Sequence, residues 1–241
     1  MPLPKIATPT YELVLPSSNR KIKFRPFLVK EEKVLILAME SQDTTQIANA
    51  VKDVISNCIL TRGIKVDKLS TFDIEYLFLN IRGKSVGESV DLIVTCPDDE
   101  TTTVPVKIYI DEIKVEQSEN HTRDIKLDEI YTLRMKYPSL NQFIENNFTT
   151  TDNSEEVVTK SFKVIADCMD TIYTEEDAWD VNDYTPSERL DFVEKLSSKQ
   201  YKEVEKFFAT MPKLSHVIEV TNPNTKKKSR IVLEGLADFF G

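Results

Sequence analysis

Val54-Ile-Ser-Asn-Cys-Ile59 and Val164-Ile-Ala-Asp-Cys-Met169 are the stretches on which the fold reading turns. In the first, Ile47, Val51, Val54, Ile55 and Cys58 fall on one face at helical spacing. In the second, the face is Val157, Ser161, Val164/Ile165, Cys168 and Ile172, in a long helix that Ser154-Glu-Glu precedes and that runs to about Thr171. A further pair, Val94-Thr-Cys-Pro-Asp98 and Val220-Thr-Asn-Pro-Asn224, lies downstream of each. The offsets are 110 residues, from Val54 to Val164, and 126 residues, from Val94 to Val220. A longer acidic loop around Trp179 accounts for the difference. Element order agrees in both halves: strand, helix, helix with Cys, helix, hairpin. The reading is a tandem duplication of one module. Chance similarity of short helical and turn segments is the alternative.

Tyr11–Leu15 and Lys21–Arg25 read as a hairpin around Pro16-Ser-Ser-Asn19, because Lys21-Ile-Lys-Phe-Arg25 alternates charged and apolar residues. Helices are predicted from about Lys30 to Met39 and from about Thr45 to Leu60. Another follows the capping-box-like start Ser70-Thr-Phe-Asp73. Strands Ser89–Cys96 and Thr101–Ile110 flank Pro97-Asp-Asp-Glu100. In the second half, Ile130–Lys136 reads as a strand and Leu140–Asn147 as a short helix. Glu175–Asp183 reads as an acidic loop. Thr185-Pro-Ser-Glu188 starts a helix, which Ser197-Ser-Lys-Gln200 restarts or kinks. His216–Thr221 and Ser229–Leu233 form a last hairpin.

The predicted fold class is α+β: two tandem related modules, each a strand followed by two or three helices and a β-hairpin. Residues 1–20 are an N-terminal arm and first strand, and 21–116 the first module. Residues 117–122 are a linker, and 123–241 the second module. Residues 1–10 hold three prolines and read as an extended arm ordered by a partner.

Composition excludes several classes. With 5 Gly, 2 His and 3 Cys, the chain lacks the means for a Gly-rich phosphate loop, a His-based triad or metal site, or a disulfide framework. A formal charge of -9 argues against nucleic acid as a partner. The longest apolar run, Val34–Met39, is too short for a membrane helix, and Met1–Ala7 has no signal-like apolar core. Free thiols without a sorting signal fit a reducing cytosol.

Single motifs resolve to bland readings. Gly83-Lys-Ser85 resembles the end of a phosphate loop, but position 78 is Phe where that loop needs Gly. Cys96-Pro-Asp-Asp99 lacks the second thiolate of a zinc knuckle, and Asn222 and Thr225 stand at the matching positions. Cys58 and Cys168 read as core residues, with only His121 and His216 available as bases. No metal, cofactor or catalytic residue is assigned. Lys226-Lys-Lys-Ser-Arg230 reads first as a solvated turn, then as a site for an acidic protein partner, with nucleic acid third. Phe239-Phe240 either pack on their own core or dock a partner subunit. The candidate partner-contacting residues are Leu3 and Ile6 in the arm, Trp179 in the acidic loop, and Leu236, Phe239 and Phe240 in the tail.

Lys21-Ile-Lys-Phe-Arg-Pro-Phe-Leu-Val-Lys-Glu-Glu-Lys-Val-Leu35 resembles the baseplate hub assembly proteins of T4-like contractile-tailed bacteriophages. So does Phe72-Asp-Ile-Glu-Tyr-Leu-Phe-Leu-Asn-Ile-Arg-Gly-Lys-Ser-Val-Gly-Glu88. Thr95-Cys-Pro97 and Gly235-Leu-Ala-Asp-Phe-Phe240 agree with that family. The resemblance is strongest over residues 20–110. It implies a non-enzymatic structural component of the central hub of the tail baseplate, needed for its assembly. It further implies synthesis in the host cytoplasm, residence in the virion tail, and hub, spike or tail proteins as partners around a three-fold or six-fold axis. Direct nucleic-acid or membrane contact is not expected. The alternatives are an assembly chaperone absent from the mature particle and a tail-associated cell-wall glycosidase.

Overall fold

The computed structural model describes residues 6–41, 43–139 and 154–235. The chain divides into two compact units, Met1–Glu116 with Lys213–Gly241, and Gln117–Pro212. The α+β class is as the sequence predicts.

In the first unit, β1 (Tyr11–Val14) and β2 (Lys21–Phe24) form an antiparallel hairpin. The alternation in β2 buries Ile22 and Phe24 and leaves Lys21 and Lys23 outside. Helix α1 (Val29–Glu40) follows, then α2 (Thr44–Cys58), whose N-cap Asp43 accepts from the Thr45 and Gln46 amides at 2.9 and 3.2 Å. Helix α3 (Thr71–Val86) is buried on nearly every face, from Phe72 to Gly83, which makes it the spine of this unit. It carries Leu79 into a core completed by β3 (Ser89–Thr95), β4 (Thr103–Tyr109) and a second small sheet. That sheet has the order β11-β10-β5, from Lys228–Glu234, Lys213–Thr221 and Lys114–Glu116.

The capping box read at Ser70 does not form. The Ser70 hydroxyl makes no hydrogen bond, and Asp73, fully buried, instead accepts from the Ser17 amide at 3.0 Å and from the Ser17 hydroxyl. A tertiary contact to the first hairpin turn has taken the capping carboxylate.

Three hairpin turns share one geometry. Each runs X-Pro-x-x and then a non-glycine residue in the left-handed region: Asn19 at φ 53, Glu100 at φ 57 and Lys226 at φ 64. In each, that residue's amide donates to the carbonyl before the proline: Asn19 to Leu15, Glu100 to Cys96 and Lys226 to Asn222, at 2.9, 3.0 and 2.9 Å. Proline presets the first bend. The resemblance between Val94–Asp98 and Val220–Asn224 is therefore a shared turn form, which the first hairpin uses as well.

The second unit holds one antiparallel sheet in the order β6-β7-β8-β9, from Asp124–Lys126, Thr132–Met135, Met169–Tyr173 and Ala178–Asp180. Helices α4 (Ser154–Cys168), α5 (Pro186–Glu194) and α6 (Ser198–Thr210) complete it around Leu133, Met135, Ile165, Cys168, Val204 and Phe207. Thr185 and Ser197 both form capping boxes, with Glu188 and Gln200, so Ser197 restarts the chain as a new helix.

Several sequence expectations shift here. The helix from Ser154 stops at Cys168, and Ile172 lies in β8, paired with Leu133 and Trp179. Thr171, Ile172 and Tyr173 favour a strand, and pairing with β7 decides the matter. Ser161 is exposed, while Phe162 and Ala166 join the core. The acidic loop contains β9. Residues 117–122 fall in the second unit, where half-buried His121 stacks on Tyr137 and lies tilted against Phe207. The last hairpin, read as part of a module at 123–241, groups with the first unit because β10 pairs with β5, Leu214 opposite Val115. The side chain of Val157 and the helix read at Leu140–Asn147 lie outside the described residues.

One correspondence between the halves is more specific than the turns. In the first unit Phe24, at the end of β2, bridges Ile59, and the Arg25 amide donates to the Cys58 carbonyl at 3.0 Å. In the second, Met135, at the end of β7, pairs with Met169, and the Lys136 amide donates to the Cys168 carbonyl at 2.7 Å. Each unit thus has a hairpin, a helix ending in buried cysteine, and a return to the hairpin's second strand at the next residue.

Candidate interaction surfaces

The tips of the β3–β4 and β10–β11 hairpins are clasped together. Asn222 is fully buried, and its amide nitrogen donates to Asp98 at 3.0 Å and Asp99 at 2.9 Å. Its oxygen accepts from the Asn224 and Thr225 amides at 2.8 and 3.3 Å. The Thr225 hydroxyl donates to Asp98, and Asn224 reaches the Thr102 hydroxyl at 2.9 Å. Hydrogen bonds from Thr102 and Asn222 hold the Asp99 carboxyl well below its ordinary value, and those from Thr225 and Asn222 lower Asp98. Both carboxylates are satisfied by the chain itself, so this cluster reads as a structural joint.

Within the second unit, a cleft of about 650 Å³ opens between the sheet and α5. Trp179 on β9 and Tyr131 before β7 form its aromatic edge, with ring centroids 6.1 Å apart and planes at 46°. Ile172, Met169, Val181, Phe192 and Leu196 supply apolar lining, and Tyr184 stands beside them. Alternation places this edge: in β8 and β9 the pair Ile172 and Trp179 points to the same face. Asp128 accepts from the Ile130 and Tyr131 amides at 2.8 and 2.7 Å, which lowers its pKa and holds Tyr131 at the mouth. Gln200 donates to the Leu127 carbonyl at 3.0 Å and ties the start of α6 to the same rim.

Helix α1 has a surface its own unit does not cover. Val29 is 80% exposed, and Val34, Ile36, Leu37 and Met39 are all about half exposed. Only Glu31 and Ala38 are buried. The helix is held at its start instead. Arg25 pairs with Glu31 at 3.0 Å, Glu31 accepts from the Leu28 amide at 2.7 Å, and Arg25 also reaches the Asn57 carbonyl at 3.1 Å.

The chemical candidates raised by sequence have structural explanations. A side chain at Gly83 would bring Cβ to 2.9 Å from Ile110 Cδ1, so this glycine permits close packing in the middle of α3. Ser85 donates to the Ile81 carbonyl and accepts from the Phe27 amide, and Lys84 pairs with Glu88. All three cysteines are buried. Burial pushes the Cys58 thiol up to about 11 and the Cys168 thiol up to about 12, the reverse of activation. His121 has one ring nitrogen 3.0 Å from Thr210 Oγ1 and the other 3.0 Å from Tyr137 OH, and burial lowers its pKa. In the basic cluster, Lys226 holds the turn through the Pro223 carbonyl and Arg230 pairs across the hairpin with Glu219.

Of the residues singled out in the sequence as partner contacts, Ile6 is 92% exposed and Trp179 lines the groove. Leu3, Leu236, Phe239 and Phe240 lie outside the described residues. Sequence reasoning missed Tyr131, Tyr184 and the exposed side of α1. The α1 signal was present in the apolar run Val34–Met39, which is longer than one buried helical stripe needs.

No helix among the described residues is long and apolar enough to cross a membrane. No curated protein and no solved structure matches the chain. The family model for the T4 bacteriophage base plate protein matches residues 8–241, nearly the whole chain. The chain belongs to the T4 bacteriophage base plate protein family, which makes it a component of the phage tail baseplate with other tail proteins as its neighbours.

Proposed function

We propose that this chain is a non-enzymatic structural component of the central hub of the baseplate, and that it is needed for hub assembly. The observation that carries the reading is α1, with Val29, Val34, Ile36, Leu37 and Met39 turned to solvent on one short helix. Such a surface on an isolated chain invites aggregation, and in an assembly it is covered. The hub assignment follows the resemblance of Lys21–Leu35, the stretch that contains most of α1, to hub assembly proteins. The clasped hairpins suit a part under mechanical load, because side-chain hydrogen bonds join segments distant in sequence.

The two hairpin–helix–cysteine arrangements support descent from one duplicated module. The partner-contacting residues of this reading are Leu3, Ile6, Trp179, Leu236, Phe239 and Phe240, together with α1. A glycosidase would need a carboxylic acid whose pKa is raised. Glu31 and Asp124 are both displaced downward, so neither is that acid.

The test is complementation with an Ile36→Glu/Leu37→Glu chain. Both positions are exposed, so the variant is expected to fold with unchanged circular dichroism and to be excluded from purified tails. Normal incorporation of the folded variant would remove the support that α1 gives.

A further inference from the structure

The geometry points to the Trp179 groove as the seat for the N-terminal arm, residues 1–10, of a second copy of this chain. This goes beyond the hub reading and holds for any tail component that self-associates.

The groove states the chemistry of its occupant. Its mouth is built from flat rings, Tyr131, Trp179 and Tyr184, over an apolar lining. Tyr131 and Trp179 are tilted at 46°, which leaves an open V where a stack would be closed. Aromatic slots of this kind take proline and extended aliphatic segments, because a polyproline helix has little entropy left to lose and presents its carbonyls outward. The rim adds a sign. Asp191 is paired with Lys195 at 2.5 Å, and Arg189 faces Asp167 at 4.0 Å. Asp128 and Glu188 are in no ion pair among the described residues, and their hydrogen bonds keep both ionised. Exposed Glu175, Glu176 and Asp177 lie next along the chain. The occupant is therefore apolar, extended and basic.

The arm Met1-Pro-Leu-Pro-Lys-Ile-Ala-Thr-Pro-Thr10 has those properties. It holds three prolines, one Lys and no carboxylate before Glu12. A polyproline helix repeats every three residues, so in that conformation Leu3 and Ile6 share one face as paired anchors, with Lys5 directed elsewhere. Seven residues extend roughly 20 Å at about 3 Å each, enough to span a cleft of this size. Ile6 is 92% exposed, so this anchor has no seat on its own unit. An arm-to-groove contact between copies joins unlike surfaces. Such head-to-tail contacts close into rings when the rotation allows.

Trp179 is the only tryptophan, so its emission reports the groove directly, and the arm has no aromatic residue to confuse it. The experiment has two parts. Sedimentation velocity of the full chain over a concentration series is expected to show reversible self-association. A full-length Leu3→Ser/Ile6→Ser chain is expected to stay monomeric, and so is Trp179→Ala, with Tyr184→Ala as the milder groove variant. A synthetic peptide of residues 1–10 is then titrated into the Leu3→Ser/Ile6→Ser chain. Saturable change in Trp179 emission is expected, and the Lys5→Glu peptide should bind about fivefold more weakly at low salt. A wild-type chain that stays monomeric throughout overturns the proposal, whether or not the peptide binds, because the arm then serves no second copy. So does self-association indifferent to the arm substitutions, or a peptide that leaves Trp179 emission unchanged. A chain missing from purified tails would sink the hub reading and leave these results as they stand.

Discussion

The Nδ2 atom of Asn222 lies 2.9 Å from Oδ2 of Asp99, a bond between two hairpin tips 123 residues apart in sequence. The same nitrogen serves Asp98, so one buried amide holds two carboxylates. Asn222→Ala removes both donors and the acceptor for the Asn224 and Thr225 amides. The expected cost is roughly 2 kcal/mol, read as a lower denaturation midpoint with an unchanged slope. A variant as stable as wild type would show that the clasp is incidental.

The clasp also has a pH signature. Asp98 and Asp99 have lowered pKa values in the folded chain. Their contribution is full above the unfolded carboxylate value, about 4, and is lost as pH falls through the lowered folded values. Asn222→Asp inverts this, since a third carboxyl meets two. Its penalty relative to wild type is expected to grow as pH rises from about 3 to 6. Thermal melts across that range read the difference, and a constant penalty would contradict the assignment.

Arg25 and Glu31 anchor α1 where hydrophobic burial does not. The Glu31 side chain is 4% exposed and that of Arg25 is 16% exposed. Glu31→Ala leaves a largely buried guanidinium without its partner, at about 3 kcal/mol. Hydrogen exchange should rise first in residues 29–40. Exchange that rises evenly over the chain would show that the pair serves the whole fold.

Gly83→Ala tests close packing against phosphate binding. The added methyl must displace Ile110, at a cost of about 1–3 kcal/mol despite alanine's better helix propensity. Ile110→Val on the same chain should recover part of the loss. Without that recovery, the explanation for this glycine fails.

The thiols offer a rapid check on burial. Cys58, Cys96 and Cys168 should resist a thiol reagent at pH 8 and react together in denaturant, because burial raises all three. Fast labelling of one in the folded chain would place it at the surface.

Much of the fold was legible because local chemistry dictates it. Alternation in Lys21–Phe24 gave a strand, the apolar face of Ile47–Cys58 gave a helix, and Thr185 and Ser197 gave two helix starts. What escaped depends on pairing between distant segments. Met169–Tyr173 carries a helical pattern forward from α4, and only β7 beside it makes it a strand. Lys114–Glu116 is too short to announce itself, yet it draws β10 into the first unit. Trp179 stood out by being alone of its type, while Tyr131 and Tyr184 became visible only when the chain brought them beside it.

The proposed function makes the chain a built-in part of the baseplate hub. Quantitative mass spectrometry of purified phage tails, with isotope-labelled peptides of this chain as standards, decides whether it is one. The expected result is a fixed, small number of copies per tail that survives high-salt washing and co-purifies with the isolated hub. A chain abundant in infected cells but absent from finished tails would contradict the claim and identify an assembly chaperone instead.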